Sequence, residues 1–163
     1  MEVITSYYTD CGTMKQINQD SFALKVVHTK VGRVVFAIIC DGMGGLMLGE
    51  LASKEVVVAF SNWFTDTLIA KKQYERVTEK YVAMQWKQLV CFTNEKIRSY
   101  ADEKNLQMGT TMTALFIFQG KYYLCHVGDS RAYKVEKKLK QLTEDHTLVA
   151  MEMRMGRLSE EDL

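Results

Sequence analysis

Hydrophobic residues in the first part of the chain are spaced first as in strands and then as in a helix. β-Forming residues concentrate at 3–8 and 22–27, and a continuous apolar run follows at 34–40. A Gly-Arg turn before the last run predicts a hairpin between the second and third stretches. Over residues 48–63, apolar residues recur at every third or fourth position, which predicts a long amphipathic helix packed on a sheet.

Beyond this point the pattern is helical and then strand-like again. A second helix is predicted over 73–103, with a buried face made of Val77, Tyr81, Met84, Leu89, Phe92 and Ile97. Strand spacing returns at 111–118 and 121–127, another predicted hairpin, followed by short strands at 131–135 and 139–142 and by a Met-rich helical stretch. Strands, two helices and strands in this order predict an α+β layered domain rather than alternating βαβ units.

The composition is typical of one globular domain. The chain has 163 residues, 47% of them hydrophobic and 25% charged, and a formal net charge of +1. This length is enough to bury a core without a disulfide or a structural metal. The balanced charge gives no basic surface for nucleic acid. No apolar run approaches the ~20 residues that span a bilayer, and the N-terminus lacks the pattern of a signal peptide.

The cysteines and the missing proline add two expectations. Four cysteines occur without a C-x-x-C pair, which favours a reducing compartment, and we therefore expect a cytoplasmic protein without a nucleic-acid or membrane partner. Proline is absent, so the chain has no Pro-rich linker between domains.

Three acidic residues stand at predicted strand ends. Asp41 and Gly42 follow a buried strand, Asp20 begins the neighbouring strand, and Asp129 lies in a Gly-Asp turn between two later strands. If they converge, their oxygens suit Mg²⁺ or Mn²⁺. Each motif alone is more typical of an ordinary turn or cap. The glycine spacing excludes a dinucleotide fingerprint and a P-loop.

Taken in order, the polar motifs resemble the metal-dependent protein phosphatases of the 2C type, in their bacterial branch. The matching pieces span almost the whole chain. They are Asp10-x-Gly12-x-x-Lys15-x-x-Asn18-Gln19-Asp20, Asp41-Gly42-Met43-Gly44-Gly45, Gly109-Thr110-Thr111, Gly128-Asp129-Ser130-Arg131-Ala132-Tyr133 and Leu142-Thr143-x-Asp145-His146.

The resemblance implies a fold and a reaction. The fold is an α-β-β-α sandwich of two antiparallel sheets flanked by helices, with two Mg²⁺ or Mn²⁺ ions between the sheets. Asp41 is expected to bridge the ions, the Gly42 carbonyl to bind one, and Asp20 to bind directly or through water. Asp129 matches a residue that helps to hold a weaker third ion. The implied reaction is hydrolysis of phosphoserine or phosphothreonine in proteins by a metal-bridging hydroxide.

Some residues depart from the family pattern. Lys15 stands where an Arg usually binds phosphate, which replaces a bidentate fork by a point charge. Met43 cannot donate a proton to the leaving group, as a His does there in other relatives. We expect His126 to be a packed core residue, and His146 to be held by Asp145 without a catalytic role.

The chain also stops early relative to the family. The resemblance implies two further metal-binding aspartates and C-terminal strands downstream of anything present here. We therefore interpret residues 1–163 as a partial, C-terminally truncated domain that ends near the family's mobile flap. The open sheet edges are expected to favour self-association, and the phosphatase activity of this chain is expected to be absent or weak.

Three functions remain open at this point. The first is a protein phosphatase acting on phosphorylated proteins, such as a serine/threonine kinase and its substrates. The second is a non-catalytic module of the same fold that binds a phosphoprotein or a partner domain. The third is a relative acting on an anti-sigma-factor antagonist. The intact motifs at Asp20, Asp41 and Asp129 favour the first.

Overall fold

A four-stranded antiparallel sheet is the centre of the molecule. The computed structural model describes residues 2–13, 16–43 and 48–157. The strands pair in the order β1-β2-β3-β4. They are β1 (Asp20–Thr29), β2 (Gly32–Asp41), β3 (Met112–Phe118) and β4 (Lys121–Val127). The β1–β2 and β3–β4 pairings confirm both predicted hairpins.

The helices follow β2 and lie on one side of the sheet. Helix α1 (Gly49–Asn62) continues into a π-helical segment, Trp63–Ile69, and a short 3₁₀ turn, Gln73–Arg76, leads to α2 (Glu79–Lys104). The predicted second helix is thus interrupted, because Val77 is extended. Helix α2 then starts afresh, with the Thr78 hydroxyl accepting a hydrogen bond from the Tyr81 N–H at 3.1 Å.

The core lies between the helices and one face of the sheet. Alternate residues of β2, from Val34 to Cys40, are fully buried there with residues of α1, the π-helical segment and α2. Phe36 stacks on Phe64 with ring centroids 5.2 Å apart and meets the edge of Trp63 at 6.3 Å. This period-2 burial is what the apolar run at 34–40 encodes.

Two details of the predicted pattern are wrong. Residues 3–8 form no strand in the structure, because strand formation depends on a pairing partner more than on residue type. In the predicted buried face of the second helix, Met84 and Phe92 are wrong, since they are 49% and 65% exposed, whereas Ile97 lies in the core and Val77, Tyr81 and Leu89 pack against it. The buried residues of α2 are Val82, Trp86, Thr93, Ile97 and Ala101.

A smaller hairpin and a short helix complete the described part of the chain. Strands β5 (Tyr133–Val135) and β6 (Leu139–Gln141) form a second, two-stranded antiparallel sheet, and α3 (Leu148–Arg154) follows. The predicted α+β class, with antiparallel sheets and flanking helices, is confirmed. Within the described ranges, none of the helices combines the length and apolarity needed to cross a bilayer.

Candidate metal site at the sheet end

Asp20 and Asp41 face each other across two neighbouring strands. They are direct partners in the β1–β2 register, at the first residue of β1 and the last of β2. Paired residues point to the same face with Cβ atoms about 4.5–5.5 Å apart, and like charges at such positions repel. A divalent cation between the two carboxylates would convert this repulsion into attraction.

The backbone of Asp41 is fixed by the start of the third strand. The Thr111 N–H donates to the Asp41 carbonyl oxygen at 2.8 Å, and the Thr110 hydroxyl donates to the same oxygen at 2.9 Å. The Asp41 N–H in turn donates to the Thr111 hydroxyl at 3.0 Å. The Gly109-Thr110-Thr111 motif thus positions Asp41, a role that the sequence did not reveal.

Two glycines allow the start of α1 to lie against the strand ends. The Gly42 N–H donates to the Gln19 carbonyl at 3.1 Å. A Cβ on Gly42 would lie 2.5 Å from the backbone of Gly49, and a Cβ on Gly49 would lie 2.9 Å from the Gln19 side chain. Gly49 was not among the predicted site residues, because nothing local in the sequence marks this contact.

A buried hydroxyl on α1 ties the helix to the strand that begins with Asp20. Ser53 is fully buried, and its Oγ donates to the Gln19 carbonyl at 2.7 Å. The same Oγ lies 3.0 Å from the Ser21 Oγ. Ser53 therefore bonds to both chain neighbours of Asp20. The one sequence signal for it is a polar residue on the apolar stripe of the helix.

Replacing Ser53 by Ala is expected to lower the free energy of unfolding by about 1–2 kcal/mol, because its half-buried partners at Gln19 and Ser21 lose a hydrogen bond. Thr93→Val is the matched control. Thr93 is also buried, but its hydroxyl bonds only to carbonyls of its own helix, Leu89 at 2.7 Å and Val90 at 3.2 Å. We expect the control to cost less than about 0.5 kcal/mol. Urea unfolding measures both, and equal losses would contradict the interpretation.

Asp129 lies at the same end of the sheet but apart from the aspartate pair. It follows β4, which is two strands away from β2 and hence about 9–10 Å from it. The Ser130 and Thr111 hydroxyls, 2.8 Å apart, connect its turn to the third strand. Among the described residues, no three His, Cys, Asp or Glu side chains are grouped as a metal site. The structure therefore brings together two of the three predicted carboxylates.

The histidines have structural partners. His126 is half-buried; its Nδ1 lies 2.9 Å from the Thr113 hydroxyl, and its Nε2 lies 3.0 Å from the Gly128 carbonyl. Both ring nitrogens are thus engaged, but His126 lies outside the core between sheet and helices, so the expected core position is wrong. The Gly128 N–H donates to His146 Nδ1 at 3.3 Å.

The expected pairing of Asp145 with His146 is wrong. Asp145 instead accepts a bidentate pair of hydrogen bonds from Arg131, at 3.0 Å from Nε and 2.6 Å from Nη2. The planar guanidinium suits a carboxylate better than an imidazole does. These hydrogen bonds hold the pKa of Asp145 below its usual range. The pair connects the base of the β5–β6 hairpin to the segment before α3.

Three residues of the predicted motifs cannot be placed, and one cysteine is unreactive because it is buried. Lys15, Gly44 and Gly45 lie outside the described residues. Burial raises the pKa of the Cys40 thiol to about 12, so that this cysteine stays protonated in the core.

The oxygens present are suited to a hard cation. Asp20, Asp41 and the Gly42 carbonyl supply the oxygen ligands that Mg²⁺ and Mn²⁺ prefer. These two side chains and one carbonyl leave an octahedral ion short of ligands, and Mg²⁺ typically keeps several waters in such a case. The donor set therefore fits the implied metal in kind and covers part of its coordination shell.

Comparisons with known proteins show the family of this chain. Residues 10–158 match the family described as protein phosphatase 2C. The serine/threonine phosphatase stp of Listeria monocytogenes is 34% identical over 161 residues, which cover 96% of this chain and 60% of that protein.

Solved structures of bacterial serine/threonine phosphatases match a similar share of this chain. The S. agalactiae serine/threonine phosphatase has a TM-score of 0.75 at 30% identity, covering 95% of this chain and 61% of that one. The catalytic domain of a serine threonine protein phosphatase, PstP, solved with two manganese ions, has a TM-score of 0.65 at 30% identity, with coverages of 93% and 59%. This chain thus spans about three fifths of the length of these relatives.

Proposed function

The chain belongs to the protein phosphatase 2C family, and on that premise we propose that it acts in metal-dependent hydrolysis of phosphoserine and phosphothreonine in proteins. The observation that carries the proposal is the facing pair Asp20 and Asp41 beside the Gly42 carbonyl. Its relatives are serine/threonine phosphatases. The proposed partners are phosphorylated proteins, such as a kinase and its substrates. The four unpaired cysteines support a cytoplasmic setting.

The residues of this chain have distinct proposed roles. Asp41, whose backbone is held by Thr110 and Thr111, would bridge two ions, and Asp20 would hold one directly or through water. Bound divalent cations lower the pKa of water and neutralise charge on a phosphoryl group. Lys15 would pair with the phosphate, and Asp129 would help to hold a third, weaker ion.

The expected activity of the chain alone is low. The resemblance implies two further metal-binding aspartates downstream of the residues given, so that residues 1–163 alone would hold the ions with too few carboxylates. A cation held this loosely positions water and phosphate poorly, and most of the catalytic advantage comes from that positioning.

Binding of Mn²⁺, followed by electron paramagnetic resonance, tests the proposal apart from activity. Saturable binding is expected, and Asp41→Asn is expected to weaken it on the order of tenfold or more, because it removes the ligand common to both ions. Asp102→Asn, an exposed aspartate on α2, is the control and should bind like the wild type. Absence of saturable binding, or equal affinity in Asp41→Asn, would contradict the proposed site.

Hydrolysis of p-nitrophenyl phosphate with Mn²⁺ gives the second readout. We expect little turnover by the chain alone. Robust turnover that Asp41→Asn abolishes would show that the carboxylates present are sufficient, against the expectation of low activity.

A non-catalytic module that binds a phosphoprotein is the second candidate. It is favoured by the finding that the described residues contain no group of three or more metal-binding side chains. Binding of a phosphopeptide that persists after chelation of all divalent metal, and in Asp41→Asn, would favour it over the enzyme.

A further inference from the structure

Thr111 contacts both of the turns that carry Asp41 and Asp129. On one side its N–H donates to the Asp41 carbonyl oxygen at 2.8 Å, at the end of β2. On the other side it contacts Gly128, the residue before Asp129. A Cβ added to Gly128 would lie 2.6 Å from the Thr111 Cγ2 and 3.2 Å from the Thr111 Cα. One residue at the start of the third strand thus packs against both turns.

The hydroxyl of Thr111 links the same two turns by hydrogen bonds. Thr111 is buried, with 8% of its surface exposed. Its Oγ accepts a hydrogen bond from the Asp41 N–H at 3.0 Å. The same Oγ lies 2.8 Å from the Oγ of Ser130, the residue after Asp129, and either hydroxyl can donate in this second contact. In a buried network of this kind, each hydrogen bond depends on the geometry of the next.

The backbone before Asp129 is also held in place. Gly128 has φ of +112°, a conformation that favours glycine. Its carbonyl oxygen lies 3.0 Å from His126 Nε2 and accepts from the His146 N–H at 2.7 Å. The position of Asp129 therefore depends on contacts at both of its neighbours, and the contact at Ser130 is with Thr111.

We propose that the Thr111 hydroxyl couples the strand end at Asp41 to the turn at Asp129, which makes Thr111 a positioning residue of the metal site. The assignment of both aspartates to metal rests on the proposed function. Asp129 follows β4, which is separated from β2 by β3, so a fixed spacing between the two carboxylates requires a link across β3. Residues that orient metal ligands commonly contribute about 10–100-fold to metal affinity.

Two substitutions separate the hydroxyl of Thr111 from its packing. Thr111→Val keeps the shape of the side chain, including the methyl group against Gly128, and removes only the hydroxyl. Thr111→Ser keeps the hydroxyl and removes the methyl group. Ser130→Ala interrupts the network from the other turn. Thr93→Val is the control, because it removes a buried hydroxyl that bonds to carbonyls of its own helix.

Amide hydrogen exchange of the metal-free chain, measured by NMR, tests the coupling itself. In Thr111→Val the Asp41 N–H is expected to exchange about tenfold faster, the equivalent of one lost hydrogen bond, and the amide resonance of Asp129 is expected to shift. Ser130→Ala is expected to speed exchange at Asp41 about threefold through the shared hydroxyl. Thr111→Ser and Thr93→Val should leave it near the wild-type rate. Wild-type exchange at Asp41 in Thr111→Val would overturn the proposal.

A Mn²⁺ titration followed by electron paramagnetic resonance tests the positioning role. Thr111→Val is expected to weaken binding about tenfold, Thr111→Ser to stay within about threefold of the wild type, and Thr93→Val to bind like the wild type. Circular dichroism establishes that each variant is folded. Altered exchange with unchanged Mn²⁺ affinity in Thr111→Val would overturn the positioning role, since the hydroxyl would then act on structure alone.

The two measurements also separate this inference from the proposed function. Absence of saturable Mn²⁺ binding by the wild type would contradict the proposed function. The exchange rates at Asp41 in the metal-free chain decide in either case whether Thr111 couples the two turns.

Discussion

Gly42→Ala is expected to lower the free energy of unfolding by about 3 kcal/mol, the upper end of the usual cost of overpacking. The added Cβ would lie 2.5 Å from the backbone carbon and oxygen of Gly49 and 2.6 Å from the Gln19 carbonyl oxygen. Backbone atoms cannot rotate away as the end of a side chain can. The start of α1 must therefore separate from the strand ends, which also disturbs the positions of Asp20 and Asp41.

Gly120→Ala provides the control for this substitution. Gly120 has φ of +75° and no atom within 4 Å of an added Cβ, so its replacement introduces backbone strain without a steric contact. We expect it to cost about 1–2 kcal/mol and to leave Mn²⁺ binding unchanged, whereas Gly42→Ala loses both stability and Mn²⁺ affinity. Urea unfolding and a Mn²⁺ titration measure the two effects. Wild-type Mn²⁺ affinity in a folded Gly42→Ala would contradict the role given to this contact.

Phe36→Ala is expected to cost about 3–5 kcal/mol of unfolding free energy. Phe36 is fully buried at the middle of β2 and contacts Phe64 and Trp63, which lie in the π-helical segment. Removal of its ring leaves a cavity between the sheet and the helical layer, and these layers cannot move together to fill it. Because a domain of this kind is stable by only about 5–15 kcal/mol, a large fraction of molecules could unfold.

Chemical denaturation tests the Phe36 prediction. Phe92→Ala serves as its control, because Phe92 is 65% exposed and its removal should change stability by less than about 0.5 kcal/mol. A loss below about 1 kcal/mol in Phe36→Ala would show that the core can collapse around the missing ring, contrary to the layered packing described here.

Local patterns were sufficient to predict β1 to β4 and their two hairpins, although the strand expected at 3–8 is absent. In β2 every second residue faces the helices, and short turns connect β1 to β2 and β3 to β4, so sequence spacing specifies both pairings. Two buried positions of α2, Val82 and Trp86, could not be predicted in this way. By residue type, Met84 and Phe92 look as suitable for burial as Val82 and Trp86 until the packing of the helix on the sheet is known.

The sequence by itself determined which acidic residues end up at strand ends, because each stands where an apolar run begins or ends. Only the tertiary structure decided which of them meet: Asp20 and Asp41 are partners in one register, whereas Asp129 is separated from them by a strand. It also decided the contacts that support the pair, such as Ser53 to the Gln19 carbonyl. These depend on where a helix packs on a sheet, and residues that are distant in the chain become neighbours there without any local signal.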